Sequence, residues 1–332
     1  MKKEFALCGV GHAIVDIFVE VGEDDFSTMG FERGTMRMVE KADQLQLLDR
    51  FQKSEPRLVS GGSVGNSTIA FAQLGGKAAF ISCVGDDRYG LHYEREFEQL
   101  KIEMGNPVIV GETTGTCICV ITPDAERTMR TFLGVSSHLA PRHVQHDRNL
   151  IEASEWVFIE GYMFANVPSG QEAIVEILKI AKQAGTKVAV TCSDGFIPEV
   201  FTEPFFNALQ HTDLLFCNAA EAMSITKTET AQEAFASLVD RVPNSVVTDG
   251  PNGAFIRYNH QESHVPAYSC TPRDLTGAGD MFAGAFLYGI SSGMPAPQAA
   301  KGANFLAMKV ISQVGARLHH GAEEFFTVSK QG

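Results

Sequence analysis

Asp274-Leu275-Thr276-Gly277-Ala278-Gly279-Asp280, followed by the apolar run Met281–Ile290, decides how this chain is read. The apolar run predicts a buried helix. The start of a helix presents N–H groups without intrahelical acceptors, at the positive end of the helix dipole. Gly277 and Gly279 carry no side chains, so a phosphate can approach the backbone N–H groups of Gly277, Ala278 and Gly279. Asp280 then sets a carboxylate beside that anion, which is electrostatically costly unless the carboxylate has work to do. Abstracting a proton from an attacking hydroxyl is such work. A bare glycine pair is more often a turn before a core helix. The flanking Asp274 and Asp280 turn the balance toward a site.

Three further stretches carry weaker signals. Ser60-Gly61-Gly62-Ser63-Val64-Gly65-Asn66-Ser67 opens Thr68–Leu74, with two glycines for close ligand approach and hydrogen-bonding groups on Ser63 and Asn66. An ordinary loop with a Ser or Asn cap reads equally well. Asn218-Ala219-Ala220-Glu221 follows a strand ending at Cys217, and ligands of parallel α/β sheets bind outside the carboxyl ends of strands. Asn218 and Glu221 face the same way on a first helical turn and suit Mg²⁺ held through water. Alone, they read as a cap with a solvated Glu. Thr248-Asp249-Gly250-Pro251-Asn252-Gly253 is a nucleotide-contacting loop or a hairpin turn. Asp16 is a candidate carboxylate for sugar hydroxyls, or a polar residue on an exposed strand face.

The 332 residues suffice for one large domain or two smaller ones, and 44% apolar with 20% charged residues excludes wholesale disorder. Twenty-seven Lys and Arg against 40 Asp and Glu give a net charge of −13, which speaks against nucleic acid and anionic membranes as partners. It leaves small anions open, because backbone N–H groups bind them. The seven cysteines are odd in number and form no C-x-x-C, which argues against a disulfide scaffold or zinc cluster and for a reducing cytoplasm. Phe5–Val15 reads as a first strand rather than a signal peptide, and no apolar stretch approaches membrane-span length.

Period-2 alternation over Ile14–Val21 puts Asp16, Phe18 and Glu20 on one face of a strand and Val15, Ile17, Val19 and Val21 on the other. Thr35–Val39, Pro107–Val110, Thr116–Thr122 and Arg127–Phe132 are further strands, expected to form a small antiparallel sheet. Beyond residue 150 the rhythm becomes strand–helix–strand. Strands are expected at Trp156–Ile159, Lys187–Thr191, Asp213–Cys217 and Ser245–Thr248. Capping boxes are expected at Ser169-Gly170-Gln171-Glu172 and Thr230-Ala231-Gln232-Glu233, and Gly185 ends the helix after the first. This order predicts a parallel sheet covered by helices on both faces.

The Asp274–Asp280 run resembles the carboxy-terminal motif of the PfkB family of carbohydrate kinases, the ribokinase-like family, with Leu275 where the family usually has Thr. Gly61-Gly62, Val84-Gly85-Asp86-Asp87-Arg88-Tyr89-Gly90, Asn218–Glu221 and Thr248–Gly253 follow in the family's order, so the resemblance covers nearly the whole chain. It implies an α/β fold: a single kinase domain over residues 1–332, with a three-layer α/β/α core, a mainly parallel sheet, and a small β-sheet lid near 12–40 and 106–134. Within the family the chain is similar to adenosine-kinase-like members, through Gly61-Gly62-Ser63 with Asn66, Gly34–Met38, Thr114–Cys117 and Glu160–Met163.

The resemblance further implies ATP and Mg²⁺ as cofactors. It puts Asp16, Gly61, Gly62, Ser63 and Asn66 on a ribose. It puts Met36, Met38, Cys117, Cys119, Tyr162 and Met163 near a base, with plain core packing as the other reading. Asn218 and Glu221 would hold Mg²⁺ through water, Thr248, Gly250 and Gly253 would contact nucleotide, and Gly302, Ala303 and Asn304 would flank the ATP base. A monovalent cation, K⁺, would lie near Asp274 and Ile311–Gly315. The reaction is phosphoryl transfer to a primary hydroxyl, with Asp280 as base and Gly277, Ala278 and Gly279 holding the developing charge.

A ribose or fructose kinase and a non-catalytic nucleotide binder are the alternatives. An NAD-dependent dehydrogenase, suggested by Gly9-Val10-Gly11, is a third alternative; Ile14 in place of the third small residue and the lack of a βαβ pattern up to Glu32 speak against it. The resemblance is compatible with either a monomer or a homodimer paired through the lid.

Overall fold

Alternation along the first strand, Phe5–Val10, sends Leu7 into one apolar cluster and Cys8 and Val10 into another. A strand buried on both faces needs helices above and below it. The computed structural model describes residues 3–51, 56–105, 108–124 and 126–330. Its large sheet runs Gln261–Val265, Ala254–Tyr258, Ser245–Thr248, Leu214–Asn218, Lys187–Thr191, Ser154–Glu160, Phe5–Val10, Ala78–Ile81, Glu103–Gly105. All pairings are parallel except those of the hairpin at the Gln261 edge. Helices Ser63–Gln73, Ala278–Ser291 and Ala296–Ile311 cover one face, and Ser169–Ala184, Ala219–Thr226 and Ala231–Ser237 the other. This is the ribokinase-like three-layer α/β/α fold.

From Phe5–Val10 the sheet grows outward in both directions, toward Ala78–Ile81 and toward Ser154–Glu160. The strand order therefore reverses there, and a crevice opens at the carboxyl ends of the two central strands. His12 follows one of those ends and Glu160 finishes the other.

A second sheet of five strands runs Met36–Met38, Arg127–Phe132, Gly115–Ile121, Ile14–Glu20, Arg57–Gly61. It is mixed rather than antiparallel. Ile14–Glu20 runs parallel to Gly115–Ile121, and Met36–Met38 parallel to Arg127–Phe132. The reason is connectivity: between the partners of each parallel pair the chain makes a long excursion, and only a tight turn forces reversal. Val108–Ile109 does not join this sheet but pairs with Val84–Gly85, and Pro107 lies outside the described residues. Arg57–Gly61 carries no strong alternation, and its strand is fixed by pairing with Ile14–Phe18.

Val15, Ile17, Val19, Ile118 and Val120 form the outer apolar face of this sheet, packed with Phe26 and Phe51. Helices Glu23–Ser27 and Lys41–Arg50 supply that cover, and Gln44 Nε2 donates to Thr116 Oγ1 at 2.8 Å. Asp16, Phe18, Cys117, Cys119, Met129, Thr131, Met36 and Met38 share the opposite face by register.

Of the two expected capping boxes, Thr230 accepts the Glu233 N–H at 3.2 Å. Ser169 instead is already the first helical residue, after Pro168, and its hydroxyl donates to Ser137 O at 3.2 Å. Gly185 ends that helix in the left-handed region. No helix among the described residues is long and apolar enough to cross a membrane.

Candidate active site

The helix Ala278–Ser291 begins after Gly277, which sits at φ +79°, a conformation open to glycine at little cost. A Cβ there would also lie 2.6 Å from Ala316. Ala278, Gly279 and Asp280 thus form the first turn of a buried helix, and a Cβ on Gly279 would meet nothing within 4 Å. The Ala278 N–H reaches Leu275 O at 3.4 Å. Helix Ser63–Gln73 packs closely on this helix. At Gly284 a Cβ would come within 2.2 Å of Ser67 O.

That close packing brings Ser63 and Asn66 to Asp280. The Ser63 hydroxyl donates to Asp280 Oδ1 at 2.8 Å and Asn66 Nδ2 donates to Oδ2 at 3.0 Å. The sequence puts both residues on substrate; the structure has both gripping the carboxylate expected to be the base. Burial pushes the Asp280 carboxyl up to about 6, and the bonds from Asn66 and Ser63 pull against that rise.

Asp16 faces the same crevice from the small sheet. Gly61, opposite Ile14, leaves room for it, since a Cβ there would lie 2.7 Å from Asp16 Oδ2. Burial pushes the Asp16 carboxyl up to about 7, the Arg317 guanidinium opposes the rise, and the charge of Asp280 adds to it. Gly62 adopts φ +88°, with His12 O in the space of a Cβ at 2.0 Å. Met36 and Met38, 52% and 54% exposed, share a sheet face with Asp16, while Cys117 is buried and accepts from the Thr131 hydroxyl. Tyr162 packs on Phe196, and burial with the nearby carboxylates raises its phenol.

Asp280 and Gly279 line a cavity of about 200 Å³ with Ser63, Asn218, Glu221 and Thr248. Thr248 and Gly279 also line a second, of about 590 Å³, with Gly250, Tyr268, Leu275 and Asn304. The two share a wall, giving a narrow polar end at Asp280 and a wider apolar end. Asn304 Nδ2 donates to Val265 O and Pro266 O, both at 3.1 Å, which holds the chain at the wide end. Leu275, 70% exposed, adds apolar surface where the family usually has a hydroxyl.

Asn218 and Glu221 make a reciprocal cap: Asn218 Oδ1 accepts the Glu221 N–H at 2.9 Å and Glu221 Oε2 accepts the Asn218 N–H at 3.0 Å. Glu221 is buried rather than solvated, and burial pushes its carboxyl up to about 7. Its Oε1 also accepts from Asn218 Nδ2 at 2.7 Å, so each oxygen takes one donor and keeps one lone pair, which on the wall shared with Asp280 suits contact with a hydrated Mg²⁺ through water rather than direct ligation. At Asp274 the fit fails. Its carboxylate already takes the Arg127 guanidinium, the Gly315 N–H at 2.7 Å and the Thr276 N–H at 3.1 Å, so the place expected for K⁺ is filled by donors.

Met36, Cys117, Tyr162, Met163, Gly302 and Ala303 are among the expected residues that line neither of these two cavities. Met163 is 1% exposed inside the core below the large sheet. Gly302 packs against Phe325 and Ser329, and Ala303 is buried in the other core cluster. Helical periodicity explains Gly302: Asn304, Ala307, Met308 and Ile311 face the cavity and Gly302 lies on the opposite side, whereas Ala303 is one turn from Ala307 but is fully buried in core packing. Gly253 serves the turn itself, at φ +99° against Val265 O. Four residues at the crevice have no role in the sequence reading of the site: His12, Arg127, Arg317 and Glu160, the last quoted only as the first residue of the segment Glu160–Met163. Each carries a charge-capable side chain at or beside a strand end or loop, which spacing alone does not single out.

A family model described as pfkB family carbohydrate kinase matches residues 36–320. The adenosine kinase of Saccharomyces cerevisiae is 25% identical over 280 residues, covering 80% of this chain and 81% of the yeast protein. A probable sugar kinase from Rhizobium etli is 28% identical with a TM-score of 0.85, covering 97% of each chain. An adenosine kinase from Sinorhizobium meliloti is 29% identical with a TM-score of 0.84, covering 96% of this chain and 97% of its own.

Proposed function

The chain belongs to the pfkB family of carbohydrate kinases, and from that premise we propose that it phosphorylates a primary hydroxyl of a nucleoside, adenosine foremost, giving AMP. The family makes it a kinase that uses ATP. The observation that carries the nucleoside reading is the exposed pair Met36 and Met38 on the sheet face of Asp16. A base stacks on such polarisable apolar surface, whereas a free furanose has no use for it.

In the proposed reaction Asp280 accepts the proton of the attacking hydroxyl as that oxygen bonds to the γ-phosphorus and ADP departs. The Ser63 and Asn66 bonds aim its carboxylate. N–H groups at the Gly277–Gly279 turn hold the developing negative charge. Asp16 receives sugar hydroxyls and fixes the acceptor. Mg²⁺, held through water by Asn218 and Glu221, would neutralise phosphate charge. The adenine of ATP takes the 590 Å³ cavity beside Asn304 and Leu275. The small sheet acts as a lid that excludes water. Its outer face is already covered by its own helices, which favours a monomer over lid pairing. Six of the seven cysteines are buried and all are unpaired, which supports a reducing cytoplasmic setting.

A kinase assay with adenosine, inosine, ribose and fructose side by side, following ADP release, tests the reading. Adenosine should give the highest kcat/KM; a preference for a free sugar overturns it in favour of a ribokinase-like furanose kinase.

A further inference from the structure

Helix Ser63–Gln73 carries both donors to Asp280, yet its cap residue, Gly62, has no side chain to satisfy the first-turn N–H groups. The acceptor comes from elsewhere in the fold. Glu160, at the end of the central strand Ser154–Glu160, accepts the Val64 N–H at 3.3 Å through Oε2. The same oxygen accepts the His12 N–H at 3.2 Å, and Oε1 accepts from His12 Nδ1 at 2.6 Å. On its far side His12 Nε2 meets Asn166 Nδ2 at 2.6 Å. A carboxylate only accepts, so the His12 ring is the Nδ1–H tautomer, with Nε2 accepting from the Asn166 amide. The His12 and Glu160 side chains are each about 2% exposed. Gly11 leaves space for Glu160, where a Cβ would lie 2.3 Å from Oε2.

We propose that Glu160 is a positioning residue for the catalytic base. It caps the Ser63 helix from a distant strand, and His12 fixes its carboxylate, so that Ser63 and Asn66 meet Asp280. One carboxylate thereby ties both chain passages flanking the site, the His12 bend after the first strand and the Gly62 turn before the Ser63 helix, to the end of the sheet. Both Glu160 oxygens are engaged by these donors, so its role is shape and acceptance rather than proton transfer. The proposal rests on the kinase reading with Asp280 as base.

The test contrasts two conservative changes. Glu160→Gln keeps the length and an accepting oxygen for Val64 and His12 N–H. Its amide nitrogen then faces His12, whose ring answers by shifting its hydrogen to Nε2 as the Asn166 amide turns over. Glu160→Asp keeps the charge but draws the acceptor back by about 1.5 Å. Misplacement on that scale costs about a hundredfold in rate, so Glu160→Asp should lose about that much kcat and Glu160→Gln less than about tenfold, both with KM for ATP little changed. Ring-nitrogen NMR should show the His12 tautomer inverted in Glu160→Gln, a readout independent of turnover.

Equal losses in the two variants, no loss in either, a larger loss in Glu160→Gln, or an unchanged tautomer overturns the proposal. Asp280→Asn, assayed in parallel, separates the two failures: if it stays active, the kinase reading fails first.

Discussion

Arg127, at the start of a small-sheet strand, forms an ion pair across the crevice with Asp274, whose same oxygen takes the Gly315 N–H at 2.7 Å. The pair joins the proposed lid to the loop before the Gly277 turn. It also supplies positive charge where the family resemblance calls for a monovalent cation. Replacing K⁺ with a bulky organic cation should therefore change kcat less than about threefold in the native protein. Arg127→Gln should make activity cation-dependent, because the Asp274 carboxylate then lacks its partner. Kinetics across a K⁺ titration check this, and strong K⁺ activation of the native protein would contradict it.

Asp280 must be ionised to accept a proton, so kcat/KM should rise with pH through about 6. Asp16, pushed up to about 7, shares that limb. Ser63 donates to Asp280, and hydrogen bonds to a carboxylate favour its charged form. Ser63→Ala should therefore move the acidic limb upward, by about half a unit or more. A downward shift would show that Ser63 does not hold the charged form.

The same carboxyl makes a stability prediction. Its folded value of about 6 lies above its ordinary 3.8. Folding therefore favours the protonated form, and the stability present below the unfolded value is lost as pH rises through about 6. Asp280→Asn should melt no lower than the native protein at pH 8 while losing more than about a thousandfold in kcat. Calorimetry beside single-turnover kinetics checks both. A variant within tenfold of native kcat would remove Asp280 as base.

Glu221→Gln tests the magnesium role. Glutamine keeps an oxygen for the Asn218 N–H and leaves the Glu221 N–H bond to Asn218 Oδ1 in place, losing only the bond that Asn218 Nδ2 makes to Glu221 Oε1 at 2.7 Å, so the helix start should be kept while the charge is lost. The Mg²⁺ concentration for half-maximal rate should rise about tenfold, within the range typical for removing a supporting metal contact. An unchanged Mg²⁺ requirement would place the ion elsewhere.

Met36→Ser and Met38→Ser should raise KM for adenosine by about fivefold to tenfold, since losing a stacked apolar contact costs about 1 kcal/mol. Any activity on ribose should barely change. Parallel assays of both acceptors check this, and equal losses on both would mean that the methionines support the sheet rather than a base.

Much of the site is legible in local sequence because its parts are contiguous. The Gly277–Gly279 turn, Asp280 and the Asn218–Glu221 cap each lie within one helical turn, where spacing dictates geometry. Misreadings occur where a neighbour distant in sequence decides. Arg57–Gly61 becomes a strand only by pairing with Ile14–Phe18. Pro168 starts the helix ahead of Ser169, whose hydroxyl has a better partner in Ser137. Gly302 sits on the helix side opposite Asn304, against Phe325 and Ser329, and Ala303 is closed off in the core.

The α/β class, the helix that presents Asp280 and the family's ordered motifs can all be read along the chain, because backbone periodicity and glycine placement are local properties. What touches the base is set by packing between distant segments. Ser63 and Asn66 reach Asp280 from 217 and 214 residues away, Glu160 caps a helix 96 residues distant, and Arg127 meets Asp274 across 147. Hydrogen bonds and ion pairs act over a few ångströms of space, whatever the separation along the chain, so these partnerships appear only once the sheet order is set.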